Sequence, residues 1–309
     1  MFTFPPKQLF TTARKAAAKL LWKKAREVRS DYVAAVLLYI IHHKSLSVLL
    51  GQRTFSQRIM LRNARPHPNF SRLSDKCEVK EFVEKIIGPD HLIPTYQIAA
   101  RVDDIDFASL PDSFVMKATH GSGWVKLVED KHAESAEDLK SLAAAWLSEN
   151  YYLTFRESHY KSIKPRIIFE KLLMENGAPV DDYKIHCFRK KGKLTQIVQV
   201  NSDRFRNHKL NLFSSEWKPL DMSLVHERAP AETIRKPDQL AELLDIADRL
   251  STGFNYVRVD LYVSSGQVFF GELTFTPGAG LMRLQPRAVD RQWANLFDKD
   301  NHSGSALMM

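Results

Sequence analysis

The sequence predicts an α+β fold built on antiparallel hairpins, and three features of its pattern carry that reading. Two pairs of strand-like segments, 183–190 with 194–201 and 256–263 with 268–275, alternate polar and apolar residues about short glycine-containing turns. Helical patterns at 135–149 and 237–252 fall between strand pairs and not after every strand, which argues against a βαβ repeat. Of the 309 residues, 44% are hydrophobic and 26% charged, with 12 Gly and 14 Pro, so the chain can bury a core and is neither disordered nor fibrous in composition.

Taken in order, residues 7–29 place Phe10, Ala17, Leu20, Leu21, Ala25 and Val28 at helical spacing among lysines and arginines, a basic amphipathic helix. The apolar run at 32–41 follows, and its ten residues fall well short of the roughly 20 that a bilayer-spanning helix needs. Segment 1–60 is therefore expected either to lie on an anionic membrane surface or to dock on the protein's own body. A second helical pattern through Val79, Phe82, Val83, Ile86 and Ile87 opens at Ser74, Asp75 and Lys76 and stops at Gly88 and Pro89. It belongs to a small helical and mixed domain at 61–110. A strand at 114–117, a turn at 119–123 punctuated by Gly121 and Gly123, and a strand at 124–128 make the first hairpin. Residues 165–173 read as a buried strand running into a connection, and 301–309 as a disordered tail.

The formal charge of +9 is not spread along the chain. Eleven of the 45 lysines and arginines but only two of the 36 acidic residues lie in 1–60, so residues 61–309 are formally neutral and offer no broad footprint for nucleic acid. Cys77 and Cys187 are isolated, and reduced thiols in a cytoplasmic protein are expected. No signal peptide fits the amino terminus.

The carboxyl-terminal hairpin carries the chemistry. A three-residue loop at 265–267 sets Asp260 opposite Glu272, and two facing carboxylates call for a cation between them. A Mg²⁺ ion with a few carboxylate oxygens and nucleotide phosphates suits that place, with Thr274 adding an oxygen. A two-residue turn would instead put the acids on opposite faces, and Arg258 neutralising Asp260 is the plain alternative. Lys117 beside Gly121, Ser122 and Gly123 offers an ammonium and freed backbone N–H groups to a phosphate. Neither a Walker loop nor a kinase motif set is present.

With these residues the chain resembles the ATP-grasp enzymes, and among them the TupA-like group associated with bacterial surface-polysaccharide genes. The resemblance runs from about Leu73 to Phe297, through Ser74–Asp75–Lys76, Leu110–Pro111, Lys117, His120–Gly123, Asp182–Lys184, Arg258–Asp260 and Gly271–Gly280. It implies two α+β subdomains with antiparallel sheets gripping ATP, preceded by a helical and mixed N-terminal region. The expected layout is a pre-grasp domain at 61–110 and a grasp domain at 111–300, divided into about 111–172 and 173–300. The resemblance implies that Lys117 touches the α/β-phosphates and that His120, Gly121, Ser122 and Gly123 form a mobile loop over the triphosphate. Glu170, Lys171, Leu172 and Leu173 would hold the adenine, Asp182 the ribose or nucleotide edge, and Lys184 a phosphate. Asp260 and Glu272 would bind Mg²⁺, with Thr274 where many members carry Asn, and Arg258 would stabilise the transferring phosphoryl group.

The activity implied is that of a carboxylate–amine ligase forming an amide through an acyl phosphate. Its implied substrates are a uronic acid and an amine or amino acid in capsule or surface polysaccharide synthesis. A glycosyltransferase or sugar kinase is the alternative. The turn at 277–280, through Gly278 and Gly280, offers backbone N–H groups to a carboxylate, while Arg283 and Arg287 after it, and the basic cluster of Arg204, Arg206, His208 and Lys209, are expected either to face an anionic substrate or to lie solvated on the surface.

Overall fold

The computed structural model describes residues 12–175, 177–202, 208–224 and 227–299, with side chains from residue 19 onward. Arg204, Arg206 and the expected tail at 301–309 lie outside these residues. In chain order the helices are α1 (Thr12–Glu27), α2 (Asp31–His43), α3 (Phe55–Ala64), α4 (Phe70–Ser74), α5 (Val79–Ile87), α6 (Ala136–Ser148), α7 (Tyr152–Phe155), α8 (Leu240–Ser251) and α9 (Ala288–Ala294). The strands are β1 (Thr95–Ala99), β2 (Phe114–Ala118), β3 (Val125–Val128), β4 (Ile167–Glu170), β5 (Met174–Glu175), β6 (Ala178–Pro179), β7 (Asp182–Lys190), β8 (Lys193–Ser202), β9 (Lys209–Ser214), β10 (Tyr256–Ser264) and β11 (Gln267–Thr274). Two compact units result. Among the described residues, one holds those up to Gly51, Met60–Cys77 and Pro94–Leu172, and the other Gln52–Ile59, Glu78–Ile93 and those from Leu173 on. Segment 61–110 is thus shared between the two and is not a unit of its own.

In the first unit, a four-stranded antiparallel sheet runs β1-β4-β2-β3. Phe114, Met116, Ile167 and Phe169 bury one face against Leu139, Ala143 and Trp146 of α6, the helix expected at 135–149. Ser135 caps α6 by accepting from the Asp138 N–H, which satisfies one of the helix's orphan donors. Strand β1, which has no counterpart in the sequence pattern, pairs with β4 along the sheet edge. The basic helix α1 packs beside α2, and both are fastened to α7 by one residue. Arg156 donates to the carbonyls of Arg26 at 2.7 Å and Val28 at 2.9 Å, and to Asp31 at 2.6 Å. Asp31 also accepts from Tyr152 and Ser158. The N-terminal helices therefore dock on the protein's own body, one of the two alternatives left open by the sequence.

The second unit is built on a five-stranded antiparallel sheet, β11-β10-β7-β8-β9. One face carries Ile185, Cys187, Val198, Val257 and Val259, all buried, and meets α8, where the Cys187 thiol contacts the Ala247 carbonyl. Burial pushes that thiol up to about 12, which suits an inert core cysteine. The other face packs Phe188, Ile197 and Tyr256 at one end, and Leu210 and Leu212 of β9, into one cluster with Phe55, Trp293 and Phe297. A polar band crosses it over β11, β10, β7 and β8.

The β10–β11 hairpin departs from expectation at its turn. Ser264 pairs with Gln267, so the loop has two residues, Ser265 and Gly266, both with positive φ as a type I′ turn requires. Continued without interruption, that register sets Asp260 against Gly271 and turns Glu272 away. A β-bulge restores the pairing. The register shifts by one residue between Asp260 and Leu261, Gly271 is left without a partner, and Asp260 faces Glu272 while Arg258 faces Thr274. Glycine is needed at the bulge because a Cβ there would stand 2.7 Å from the Tyr262 ring and 3.0 Å from the Asp260 carbonyl oxygen. Gly271→Ala is expected to destabilise the protein by about 1–3 kcal/mol through overpacking, read as a lowered midpoint of urea unfolding.

Candidate active site

The second unit's site grows from three parallel rows of side chains crossing the sheet on one face. Cα pairing across β11, β10, β7 and β8 aligns Glu272, Asp260, Lys184 and Gln199 in the middle row. Thr274, Arg258 and His186 flank it on one side, and Tyr262, Asp182 and Asn201 on the other. Every second residue of a strand faces the same way, so alternate positions of four strands suffice to build the platform.

Arg258 grips Asp260 with two parallel bonds, Nε to Oδ1 at 2.6 Å and Nη2 to Oδ2 at 2.7 Å. Its Nη2 also reaches Glu272 Oε1 at 3.3 Å and Thr274 Oγ1 at 3.0 Å, and the Thr274 hydroxyl donates to the same Glu272 oxygen at 3.0 Å. From the other side Lys184 Nζ donates to Asp260 Oδ2 at 2.5 Å and stands 3.4 Å from Asp182 Oδ2. Asp260 is only 1% exposed. Burial pushes its carboxyl above the ordinary range against the pull of Arg258 and Lys184. Arg258 is desolvated as well, yet the facing Asp260 and Glu272 hold its proton more firmly than in water. The cation between the two acids is thus Arg258 itself, the plain alternative in the sequence reading.

Among the described residues no group of three or more His, Cys, Asp and Glu side chains is disposed to hold a metal. The oxygens of Asp260, Glu272 and Thr274 still fit Mg²⁺, which takes one or two carboxylates and completes its shell with water and phosphate oxygens. Three acids and two bases leave the Asp182, Lys184, Arg258, Asp260 and Glu272 cluster with a formal charge of −1, consistent with a site that receives a cation.

His186, Gln199 and Asn201 escaped the sequence reading although they alternate in register with Lys184 along β7 and β8. Gln199 Nε2 donates to Asn201 Oδ1 at 2.8 Å, so its Oε1 faces His186 Nε2 at 3.0 Å, and the Tyr256 hydroxyl lies 2.9 Å from His186 Nδ1. These partners select the neutral tautomer with the proton on Nε2. Burial, aided by the charge of Arg258, lowers the imidazole to about 3.

The first unit holds the second group of expected residues. Lys117 on β2 donates to Glu170 on β4 at 2.8 Å, and both side chains are nearly buried. Glu170, Lys171 and Leu172 close this unit, whereas Leu173 opens the other, where its carbonyl accepts from the Val180 N–H. The glycine loop is fastened more firmly than expected. Lys76 donates to the Gly121 carbonyl at 2.6 Å, and its neighbour Asp75 pairs with Arg166 at 2.6 Å. Gly121 presses on the Trp124 indole, 2.7 Å from where a Cβ would stand. His120, expected over a triphosphate, is turned inward instead. Its Nε2 meets the Trp146 carbonyl at 2.9 Å, its ring lies 5.1 Å from Trp124, and burial depresses its basicity. Ser122 and Gly123 remain partly exposed. Lys76 is the residue the site assignment missed, and its signal was the motif at 74–76.

The turn at Pro277–Gly280 has positive φ at Gly278, Ala279 and Gly280. It spends two N–H groups on itself, Ala279 to Thr276 and Leu281 to Gly278, both at 2.8 Å, so fewer face outward than expected for carboxylate binding. Arg283 and Arg287 are exposed, and Lys209 pairs with Glu227 at 2.7 Å.

A family model described as TupA-like ATPgrasp matches residues 56–298. Among solved structures the chain is similar to a D-alanine–D-alanine ligase from Helicobacter pylori, with 15% identity and a TM-score of 0.44 over 87% of this chain and 69% of that one. A D-alanyl-alanine synthetase A from Vibrio cholerae shows 10% identity and a TM-score of 0.37 over 72% of this chain and 59% of that one. An N5-carboxyaminoimidazole ribonucleotide synthetase from Thermus thermophilus shows 14% and 0.36 over 66% of this chain and 45% of that one. The chain spans less than two thirds of the last two. None of the curated proteins matches it.

His186 sets a pH dependence. The folded state holds it neutral down to about 3. The unfolded chain takes up the proton below an ordinary value of about 6.5, so stability is present above that value and lost as pH falls through it. Between pH 7 and pH 5 the loss due to this group is about 2 kcal/mol. Urea unfolding of His186→Gln is expected to show a pH dependence weaker by that amount.

Proposed function

The chain belongs to the TupA-like ATP-grasp family and is an ATP-dependent ligase, and on that premise we propose that it joins a carboxylate to an amine through an acyl phosphate. A carboxylate oxygen of the substrate attacks the γ-phosphorus of ATP and ADP leaves. The amine nitrogen then attacks the acyl carbon, inorganic phosphate departs, and the amine loses a proton. The observation that carries this reading is the cluster of Glu272, Arg258, Asp260 and Lys184 on one sheet face.

Each residue has work to do there. Asp260 and Glu272, with the Thr274 hydroxyl, would hold Mg²⁺, which when bound neutralises phosphate charge and lowers the barrier to phosphoryl transfer. Asp260 fixes Arg258 by two bonds, and a guanidinium so fixed stabilises charge that develops on the transferring group without first reorganising. Lys184 supplies a second fixed cation next to it. In the first unit Lys117 and the Gly121, Ser122 and Gly123 backbone suit a nucleotide phosphate, and the Lys76 bond to Gly121 sets the loop's position. His120 serves as the loop's buried anchor. Glu170, Lys171, Leu172 and Leu173 suit the adenine, and Asp182 the nucleotide edge.

The family resemblance supports a uronic acid or similar sugar carboxylate and an amino acid or other amine, in polysaccharide synthesis at the cytoplasmic face of the membrane. Among the described residues no helix is long and apolar enough to cross a membrane. The basic excess of residues 1–60 suits an anionic membrane surface.

ADP release from MgATP is expected to require both a carboxylate and an amine, and to fall about 10²–10³-fold in Asp260→Asn and in Glu272→Gln. Mass spectrometry should find the amide. ADP formation that no carboxylate stimulates, or a product carrying phosphate and no amide, overturns the ligase reaction.

A further inference from the structure

We propose that the N-terminal helices dock this protein on an anionic lipid surface, with the turn at Ser47–Leu50 as the inserted element and the outer face of α1 as its cationic contact. This deepens the membrane reading of residues 1–60 and does not depend on the ligase chemistry.

The face of α1 that serves the fold is already used. Ala25 is buried, the Trp22 ring meets Phe155 edge-on at 6.3 Å, and Arg26 donates to the Leu153 carbonyl at 3.3 Å. At about 100° per residue, Lys19, Leu20, Lys23 and Lys24 lie on the side away from Ala25. Leu20 is 55% and Leu21 54% exposed, and the three lysines are exposed with them. Leucine framed by lysine is the pattern of a helix lying in a lipid interface, where acyl chains take the leucine and headgroup phosphates take the ammonium groups.

The turn after α2 is shaped for insertion. Val48 is buried at 3% exposure and pins it to the body, and the Gly51 N–H closes it on the Val48 carbonyl. Leu46, Leu49 and Leu50 stand outward at 64%, 62% and 69% exposure. Three leucines exposed within five residues have no use for water, and one buried valine keeps them from folding inward.

Charge selects the occupant. On α1 the exposed Lys19, Lys23 and Lys24 are offset by one nearby acid, Glu27, 3.9 Å from Lys23, so the face is net positive and complements a negatively charged surface. In a symmetric contact with a second copy, Lys19, Lys23 and Lys24 would meet their own counterparts, which opposes such a contact. A nucleic acid would satisfy the lysines and leave the leucines in water.

The test is co-sedimentation of the full chain with phosphatidylcholine vesicles, with and without about one third phosphatidylglycerol, at low and high salt. Binding to the anionic vesicles is expected to be at least about tenfold tighter than to the neutral ones and to weaken with salt. Leu46→Ser, Leu49→Ser and Leu50→Ser combined should lose about tenfold or more, and so should Lys19→Gln, Lys23→Gln and Lys24→Gln combined. In Leu49→Trp, the added indole fluorescence should be quenched by brominated acyl chains, which reports insertion even if the triple variants fold poorly. Equal binding to both vesicle types, no binding, or an unquenched indole overturns the proposal. So does vesicle-free self-association that the leucine substitutions abolish. MgATP binding, measured alongside by calorimetry, separates failure of this proposal from failure of the nucleotide reading.

Discussion

A single unpaired residue, Gly271, decides which side chains meet on the second unit's sheet. The two-residue turn at Ser265 and Gly266 commits β10 and β11 to a register in which Asp260 and Glu272 would face opposite ways. The bulge shifts that register by one, and with a side-chain period of two a shift of one exchanges the faces. Both ends of the hairpin are served. Tyr262, Val263 and Ser264 pair as the turn dictates, and Arg258, Val259 and Asp260 pair as the acidic cluster requires. Tyr262 lies against the space a side chain would take at position 271, so the bulge is held by packing as well as by backbone freedom.

The cluster that this register assembles is costly. Asp260, Lys184 and Asp182 are nearly inaccessible to water, and a buried ion pair seldom stabilises a fold more than apolar side chains of like size would. What the arrangement secures is position. Asp260 accepts three bonds from two cations, Arg258 is fixed through its Nε and Nη2, and Glu272 meets it from the neighbouring strand. His186 stays neutral beside these charges because its nitrogens are taken by Tyr256 and Gln199. An uncharged hydrogen-bonded row thus borders the charged one, and it adds no further cation to a platform that already holds two.

The first unit follows a similar economy. Lys117 and Glu170 neutralise one another across paired strands, while Lys76, Trp124 and His120 hold the glycine loop from below. Arg156 does the corresponding work for the N-terminal helices, since it binds the carbonyls at the end of α1 and the first residue of α2. With α1 fastened by its inner face, Leu20 and the lysines are left on the outer one.

Much of this was legible in the sequence, because alternation and helical spacing are local properties. The paired strands at 182–202 and 256–274, the helices α6 and α8, the glycine loop, and the Arg258, Asp260 and Thr274 face all follow from residues a few positions apart. The resemblance also flagged Ser74, Asp75 and Lys76 without saying what they do. Their partners, Arg166 and the Gly121 carbonyl, lie 91 and 45 positions away, and no local pattern encodes a contact at that distance. His120 reads as a loop residue beside two glycines, but Trp146 draws it inward. The bulge shows the division most plainly. Strict alternation back from Thr274 would put Phe270 on the polar face, and the consecutive phenylalanines before a strand glycine were the only local sign that it does not. Sequence alone determined which residues alternate and where the chain bends. Tertiary structure decided which strand each one faces, because register is set by counting residues between a turn and a bulge, and packing chooses where the extra residue goes.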